Sequence, residues 1–355
     1  MSAAEAVRAA FLRRGLPDRE EYLAKVEAAS DALDAEGGPG RPRDSRGLPG
    51  GLVRLAGDAP TILLPDLHAR TDFLASVLFQ PLPEGQTVLD ALGEGALQIL
   101  CLGDGFHAES RALDRWKRAY QEFAGGYAKH KAMDQEMRES LSLMEMVLVC
   151  KAAFPGRFHF LKGNHENVLN EEGNGNHPFR KFALEGMMVT SWLERFYGRD
   201  FLERYAGFER RLPLFATGPR FLASHAEPQR AYSEMELIDA RLDPGTVLGL
   251  TWTDNGAADP RAVPVLLDRF LPGIPGARYF TGHRAIRGVY RELSGGRHLQ
   301  IHNPDRFVVA WVMPGRDFDP ELDIGEIRDI TADLRKVHAA DLKRPRTADP
   351  RKSER

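Results

Sequence analysis

The stretch FHFLKGNHE, residues 158–166, contains a pattern that recurs along the chain: a short apolar run with strand character stops at a cluster of possible metal ligands. Four other runs do the same. They begin at residues 61, 99, 221 and 278 and lead to Asp66 and His68, to Asp104, to His225 and to His283. In layered α/β proteins, side chains that follow the strand ends converge on one crevice, where ligands bind. The recurrence therefore predicts an α/β protein whose strand ends build a single site.

Composition indicates a globular protein but does not select a partner. The chain has 355 residues, of which 43% are hydrophobic, enough for a substantial core, and its net charge of −3 gives no footprint for nucleic acid or an anionic membrane. No stretch resembles a signal peptide or approaches the roughly 18 apolar residues that cross a bilayer. The two cysteines, Cys101 and Cys150, lie in apolar runs, as expected for thiols in a reducing compartment. We expect a cytoplasmic protein with neither membrane nor nucleic acid as partner.

The chain divides into three predicted parts. Residues 1–55 form an N-terminal accessory segment with amphipathic helices at 3–14 and 18–36 and a Gly/Pro/Arg-rich linker at 37–51. Residues 56–320 form the main domain, with a helical insertion at about 108–154. Residues 321–355 form a C-terminal helix and a polar, flexible tail.

The candidate ligands differ in what they offer to a metal ion. Asp66 and His68 are two positions apart on an extended segment, so their side chains share a face and can hold one ion. Asp104 has two oxygens that can bridge cations about 3.5–4 Å apart, although Asp is also a favoured residue at a helix start. Asn164 offers a carbonyl oxygen, and His165 can stand outside the metal shell and protonate a leaving alkoxide. Each residue alone has an ordinary structural explanation, but the ordered set indicates a metal site.

These residues resemble the motifs of the calcineurin-like metallophosphoesterase superfamily. The resemblance runs from about residue 61 to residue 313 and is greatest to the phosphoprotein-phosphatase branch, which contains serine/threonine and diadenosine-polyphosphate phosphatases. The matching segments are Asp66-x-His68, Gly103-Asp104, Gly163-Asn164-His165-Glu166, His225 and Gly282-His283. The segments LTWTD at 250–254 and LPL at 212–214 are also similar to that branch.

The resemblance implies both a fold and a set of roles. The implied fold is two mixed β-sheets packed as a sandwich and flanked by helices. Two metal ions are implied. Asp66, His68 and Asp104 would bind the first, whereas Asp104, Asn164, His225 and His283 would bind the second. Asp104 and His165 would be the catalytic residues, with His165 as general acid. A ligand set of oxygens and imidazoles without thiolate suits manganese, or iron or zinc.

The chain departs from the family pattern next to Asp104. Ala108 replaces the arginine that usually grips phosphate, and His107 replaces the acidic or amide residue that orients the general acid. A dianionic phosphate still calls for a charge-matched donor. We therefore name His107, Arg70 and Arg284 as candidate substrate-binding residues. Glu109 is a candidate for the group that orients His165. Pro65 and Ala69 also stand where the first motif usually has glycines.

The predicted reaction is hydrolysis of a phosphate ester by a hydroxide that bridges two metal ions. The partner is a phosphorylated substrate, either a phosphoprotein or a small phosphoester, and a phosphomonoesterase similar to the protein phosphatases is the first interpretation. A phosphodiesterase or dinucleoside-polyphosphate hydrolase on the same metal pair is an alternative, because of the changed residues at 106–109. An alternative of another class is a metal-binding regulatory protein without turnover.

Overall fold

The computed structural model describes residues 1–83 and 85–336. The strands, in chain order, are β1 (Leu52–Arg54), β2 (Thr61–Leu64), β3 (Gln98–Cys101), β4 (Phe158–Phe160), β5 (Phe215–Thr217), β6 (Phe221–Ser224), β7 (Arg278–Thr281), β8 (Arg291–Leu293), β9 (His298–Gln300), β10 (Val308–Val312) and β11 (Ile324–Glu326). The helices are α1 (Ala3–Phe11), α2 (Arg19–Asp34), α3 (Thr71–Leu78), α4 (Val88–Gly93), α5 (Leu113–Ala124), α6 (Lys131–Ala153), α7 (Glu185–Phe196), α8 (Arg199–Arg211), α9 (Glu234–Ile238), α10 (Pro244–Thr251), α11 (Ala262–Phe270) and α12 (Pro320–Asp323).

The strands form two mixed sheets. One has the order β1-β5-β6-β7-β9-β8, and the other has the order β11-β10-β2-β3-β4. In the second sheet β2, β3 and β4 run parallel, and β10 is antiparallel to β2. In the first sheet β6, β7 and β9 run parallel, and β5 is antiparallel to β6. The predicted fold class, two mixed sheets flanked by helices, is confirmed.

The sheets face each other, so their central strands are buried on both sides. Along β2, Leu63 packs between the sheets, whereas Ile62 and Leu64 point into the core beneath the helices. On the other sheet, Phe280 lies between the sheets and Tyr279 faces the opposite helical layer. Strands buried on both faces have continuous apolar runs without polar alternation. This explains why the sequence shows short apolar blocks instead of an alternating pattern.

Helices cover both outer faces. The core against the five-stranded sheet takes side chains from α1 through α8, and the core against the six-stranded sheet takes side chains from α9, α10 and α11. The long helix α6 lies at the centre of the larger layer, where it contacts α1, α2 and α5. The predicted insertion at 108–154 thus contains two helices that pack on each other and on the rest of the layer.

The N-terminal segment is tied closely to the main layers. Val7 of α1 and Tyr22 of α2 are fully buried in the core that α6 also fills. Within the predicted linker, Arg41 is buried and donates hydrogen bonds to the carbonyls of Gly50 at 2.7 Å and Arg211 at 2.8 Å. β1 then pairs with β5, so the predicted boundary at residue 55 falls directly after a strand. The division into three parts stays a prediction, and residues 337–355 of the predicted C-terminal part lie outside the described residues.

The parallel strands bring their carboxyl ends together at one edge of the sandwich. β2, β3 and β4 contribute three of these ends, and β6 and β7 contribute two from the facing sheet. The loops that follow them carry the candidate ligands. Among the helices of the described chain, none is long and apolar enough to cross a membrane.

The packing between the sheets gives a stability prediction. Leu100 on β3 is 0% exposed within the core between the sheets, whereas Leu322 is 78% exposed. Leu100→Ala leaves a cavity and should lower the free energy of unfolding by roughly 2–5 kcal/mol. Urea unfolding monitored by circular dichroism measures this change. Leu322→Ala is the matched control and should stay within about 0.5 kcal/mol of the parent protein. Equal effects of the two substitutions would contradict the assignment of Leu100 to a packed core.

Candidate metal centre

The loops after five strands place the predicted ligands in one buried cluster. Asp66 and His68 follow β2, Asp104 follows β3, and Asn164 follows β4. His225 follows β6 from the facing sheet, and His283 follows β7. Five of these side chains are buried, and His283 is partly exposed. The structure therefore brings together all six residues that the sequence named as metal ligands.

Four donor atoms form a compact group in one half of the cluster. His225 Nε2 lies 2.9 Å from Asn164 Oδ1 and 3.2 Å from His283 Nδ1. His283 Nδ1 lies 3.0 Å from Asn164 Oδ1, and Asp104 Oδ2 lies 3.5 Å from His225 Nε2. Metal–ligand bonds of about 2.1 Å separate neighbouring donors by about 3.0 Å in an octahedron and about 3.4 Å in a tetrahedron. The spacing therefore fits donors around one small cation.

Hydrogen bonds to the imidazole nitrogens that face away from the cluster also indicate a metal site. His225 Nδ1 lies 2.9 Å from the carbonyl oxygen of Leu102, and His68 Nδ1 lies 3.3 Å from that of Phe106. A carbonyl only accepts, so each Nδ1 carries the hydrogen and each Nε2 presents its lone pair to the cluster. This tautomer leaves Nε2 of both rings free to bind a metal ion.

The other half of the cluster contains Asp66 and His68. His68 Nε2 lies 3.5 Å from Asp104 Oδ2 and 3.8 Å from Asp66 Oδ2. Asp104 Oδ2 thus lies near the imidazole donors of both halves, as a bridging carboxylate must. The donor chemistry and spacing fit the dinuclear centre that the resemblance implies.

The backbone at the ligands adopts a conformation that most residues avoid. His68, Asp104 and His283 have φ of 41°, 54° and 59°, in the left-handed region. Ala69, which stands where a family member would have glycine, also has a positive φ of 56°. Such conformations concentrate at functional sites, where the surrounding structure holds them. Gly282 is required for a different reason, because a Cβ there would collide with the Asp66 carboxylate.

Glu166 fixes the position of Asp104. Its carboxylate accepts hydrogen bonds from the backbone N–H groups of Gly163 at 2.6 Å, Gly105 at 2.8 Å and Asp104 at 2.9 Å. Asp104 Oδ1 in turn accepts from the backbone N–H of His165 at 2.9 Å. The GNHE segment therefore holds the Asp104 carboxylate in place as well as contributing Asn164. The sequence analysis quoted Glu166 within its motif but gave it no role.

Burial sets the electrostatics of the cluster. It raises the pKa of Asp66, and it raises the pKa of Asp104 well above its ordinary value with the help of the charges on Asp66 and Glu166. Burial lowers the pKa of His68 to about 3 and that of His283 to about 4. The imidazoles are therefore neutral and free to act as ligands. Neutral imidazoles do not offset the negative charge of the Asp66 and Asp104 carboxylates. A bound cation would neutralise this charge, which burial makes unfavourable.

His165 lies beside the ligands without joining either group. Its Nε2 is 3.9 Å from Asp104 Oδ2, and its ring lies 4.9 Å from the ring of His107 and 4.6 Å from that of Phe179. Nδ1 is buried and finds no hydrogen-bond partner in the described part of the chain. Burial, followed by His107 and His68, lowers the pKa of His165 well below its ordinary value.

The three candidate substrate-binding residues occupy different environments. Arg70 is buried and donates to the carbonyls of Asp66, Asn303 and Arg306 at 2.6, 3.0 and 3.0 Å, which gives it a structural role. Arg284 is partly exposed and pairs with Asp254, in the segment LTWTD that the sequence singled out. The Trp252 ring of that segment lies 6.5 Å from the His283 ring.

The His107 side chain is buried. Its ring stacks at 4.8 Å on Trp116, and its Nε2 lies 3.7 Å from a Glu185 oxygen. Substrate contacts by His107, Arg70 and Arg284 stay predictions, and of the three Arg284 is the most accessible.

Two further residues complete the surroundings of Asp66 and His68. Glu109 bonds to His302 at 3.1 Å and to Lys181 at 2.9 Å, so its observed partners differ from the predicted partner His165. The sequence analysis missed His302, although Leu299-Gln300-Ile301-His302 repeats the apolar run that ends at a ligand. Lys181 does not follow a strand, and no local sequence pattern indicates its contact with Glu109.

Comparisons with known proteins bear on the fold. No profile of a known protein family matches the chain, and no curated protein matches it. A protein serine/threonine phosphatase from Saccharomyces cerevisiae, described as similar to human phosphatase PP5, has 16% identity and a TM-score of 0.53, with 88% of this chain and 90% of that chain covered.

Two other similar structures have lower TM-scores. A cold-active protein-tyrosine phosphatase of a psychrophilic Shewanella species has 16% identity, a TM-score of 0.41 and coverage of 73% of this chain and 76% of its own. A metallophosphoesterase from Sphaerobacter thermophilus has 13% identity, a TM-score of 0.36 and coverage of 81% and 96% respectively. The fold is assigned on the yeast phosphatase, so the chain has a metallophosphoesterase-like fold.

The lowered pKa of His283 predicts a pH dependence for the metal-free protein. Its folded value is about 4, against an ordinary 6.5, so between these pH values the unfolded chain binds a proton that the folded chain does not. The neutral His283 side chain therefore favours the folded state fully above pH 6.5, and this contribution to the free energy of unfolding is lost as the pH falls toward 4. In urea unfolding with chelator, His283→Asn should reduce the loss of stability between about pH 7 and pH 4.5 by about 2 kcal/mol.

His177 provides the matched control for this measurement, because it is an exposed histidine outside the cluster. His177→Asn should leave the pH dependence of unfolding unchanged. An unchanged pH dependence in His283→Asn as well would show that this imidazole is not held neutral by burial.

Proposed function

We propose that the chain is a metal-dependent phosphoesterase that hydrolyses a phosphate ester at a centre of two metal ions. The convergence of buried donors from five strand ends carries the proposal, with donor atoms 2.9–3.5 Å apart in the tighter half. A structural metal site would not need His165 beside it. The protein with the most similar fold among those reported is itself a phosphatase, in support of a phosphorylated substrate.

The chain's own residues have distinct parts in this proposal. Asp66, His68 and Asp104 would hold the first ion, and Asp104, Asn164, His225 and His283 the second. The ions would supply Lewis acidity toward the phosphoryl oxygens and lower the pKa of water toward about 7. Manganese, iron or zinc as the bound metal stays a prediction, as does a cytoplasmic location.

His165 would give a proton to the leaving oxygen. Its low pKa in the structure means that this proton must be held with the help of bound substrate, because a phosphate anion beside the ring raises the imidazole pKa. The side chain is 12% exposed, so part of it is in contact with solvent. A positioned acid contributes about 10²–10⁴-fold to a rate.

Phosphomonoester hydrolysis, as in the protein phosphatases, is the preferred reaction. The alternative of a phosphodiesterase or dinucleoside-polyphosphate hydrolase is favoured by one observation: Ala108 replaces the arginine, and the nearby guanidinium groups of Arg70 and Arg111 already bond to backbone carbonyls. A diester has one negative charge fewer than a monoester dianion and demands less of such a donor. A preference for bis-p-nitrophenyl phosphate or diadenosine tetraphosphate over p-nitrophenyl phosphate would select this alternative.

Metal add-back tests the central proposal. Protein stripped with chelator should not hydrolyse p-nitrophenyl phosphate, and manganese, iron or zinc should restore activity. Asp104→Asn removes the bridging charge, and His165→Ala removes the proton donor, so kcat should fall by at least about 100-fold in each. Metal content measured on the same samples should fall for Asp104→Asn only.

The same assay distinguishes the regulatory alternative. His159→Ala is the control, since this buried histidine lies on β4 outside the cluster, and its kcat should match that of the parent protein. Two tightly bound ions without hydrolysis of any monoester, diester or dinucleotide substrate would indicate a metal-binding regulatory protein and end the enzymatic proposal.

Arg284 provides a test of substrate binding. If its guanidinium leaves Asp254 to contact the phosphate, Arg284→Ala should raise KM for p-nitrophenyl phosphate by roughly tenfold, which corresponds to about 1.4 kcal/mol of lost binding. Arg297→Ala removes a similar exposed pair with Asp268 and should leave KM unchanged. Identical KM values for both variants and the parent would exclude Arg284 from phosphate binding.

A further inference from the structure

His302 occupies a place in the metal centre that the sequence motifs do not assign. It follows β9, the neighbour of β7 in the six-stranded sheet, and its side chain is 1% exposed. The ring lies 5.4 Å from the ring of His68, and Nδ1 lies 3.9 Å from Asp66 Oδ2. Its donor atom thus lies with those of Asp66 and His68, close enough for the three to hold one ion.

The hydrogen bond to Glu109 determines which nitrogen faces the cluster. His302 Nε2 lies 3.1 Å from Glu109 Oε2, and a carboxylate is an acceptor, so Nε2 carries the hydrogen and donates it. Nδ1 then presents a lone pair toward Asp66. This atom is buried and has no hydrogen-bond partner in residues 1–83 or 85–336. A buried acceptor without a partner is costly, and a metal ion would satisfy it.

Glu109 is itself held in place for this role. Its second oxygen accepts from Lys181 Nζ at 2.9 Å and lies 3.7 Å from His68 Nε2. A carboxylate that bonds the far nitrogen of a ligating histidine fixes the ring orientation and increases ligand basicity. Glu109 and His302 together therefore have the arrangement of a metal-binding histidine and its orienting carboxylate.

The two halves of the centre are unequal without His302. The second ion would have four protein ligands, including two imidazoles, whereas the first would have two carboxylates and His68. We propose that His302 Nδ1 is a fourth protein ligand of the first ion and that Glu109 is the positioning residue for it. This inference rests on the dinuclear centre of the proposed function. An added imidazole also makes the first site more selective for iron or zinc over magnesium.

Metal binding tests the inference without reference to activity. The probe is zinc, titrated calorimetrically into chelator-stripped protein and checked by metal analysis after dialysis. The parent protein should bind two ions. His302→Leu should keep one of them at parental affinity and weaken the other by at least about 10-fold to 100-fold, and Glu109→Gln should weaken the same ion to a smaller extent. His159→Leu, a buried histidine outside the centre, should leave both affinities unchanged.

A second variant covers the possibility that His302→Leu does not fold. His302→Cys replaces the imidazole with a thiolate, which binds cadmium and gives a near-ultraviolet charge-transfer absorption. The parent cysteines, Cys101 and Cys150, are buried outside the cluster and should give no such band. A folded His302→Cys protein that binds two cadmium ions without the band overturns the inference, as does a folded His302→Leu protein with both zinc affinities unchanged.

These outcomes are separate from those of the proposed function. A parent protein that binds two ions in a manner dependent on His302 but hydrolyses no phosphate ester supports the ligand assignment and defeats the enzymatic proposal. A parent protein that hydrolyses phosphate esters while His302→Leu keeps both ions at parental affinity supports the enzymatic proposal and defeats the ligand assignment.

Discussion

The carboxylate of Glu166 makes the interaction on which the candidate metal centre depends. It accepts from three backbone N–H groups, one after β4 and two after β3, and so joins the loops that follow these two paired strands. Asp104 lies in one of these loops and has a left-handed backbone conformation, which is unfavourable unless the surrounding structure holds it. With Glu166 in place, Asp104 is held where both groups of imidazoles can share its charge, and His165 is fixed beside it through its own N–H.

The layered fold makes this arrangement possible. Each sheet alone would bring its strand ends to an edge, but the two sheets facing each other bring candidate ligands from opposite sides. Asp66, His68, Asp104 and Asn164 come from one sheet, and His225, His283 and His302 come from the other. The apolar core between the sheets fixes their separation, because close-packed side chains leave little room for the sheets to shift. Packing far from the ligands therefore sets the distances within the centre.

Much of the fold and of the candidate site could be predicted from local sequence. β2, β6 and β7 begin at the predicted residues, because short apolar blocks bounded by turns are visible without knowledge of their partners. The structure also gathers the six predicted ligands. The surroundings of these ligands were harder to predict. Which groups bond to Glu109 depends on His302, which follows β9, and on Lys181, which lie 193 and 72 positions away along the chain.

The contacts of the N-terminal helices have a consequence for the order in which the chain assembles during synthesis. α1 and α2 pack on α6, and Arg13 pairs with Glu145, 132 positions later. β1 can pair only after β5 has been synthesised, and β2 gains its antiparallel neighbour only after β10 has been synthesised. Pairings so distant along the chain close late, and the apolar surfaces that await them stay exposed meanwhile. The helices α1 and α2 therefore leave the ribosome long before the elements on which they pack, and in that interval a chaperone would have apolar surface to protect.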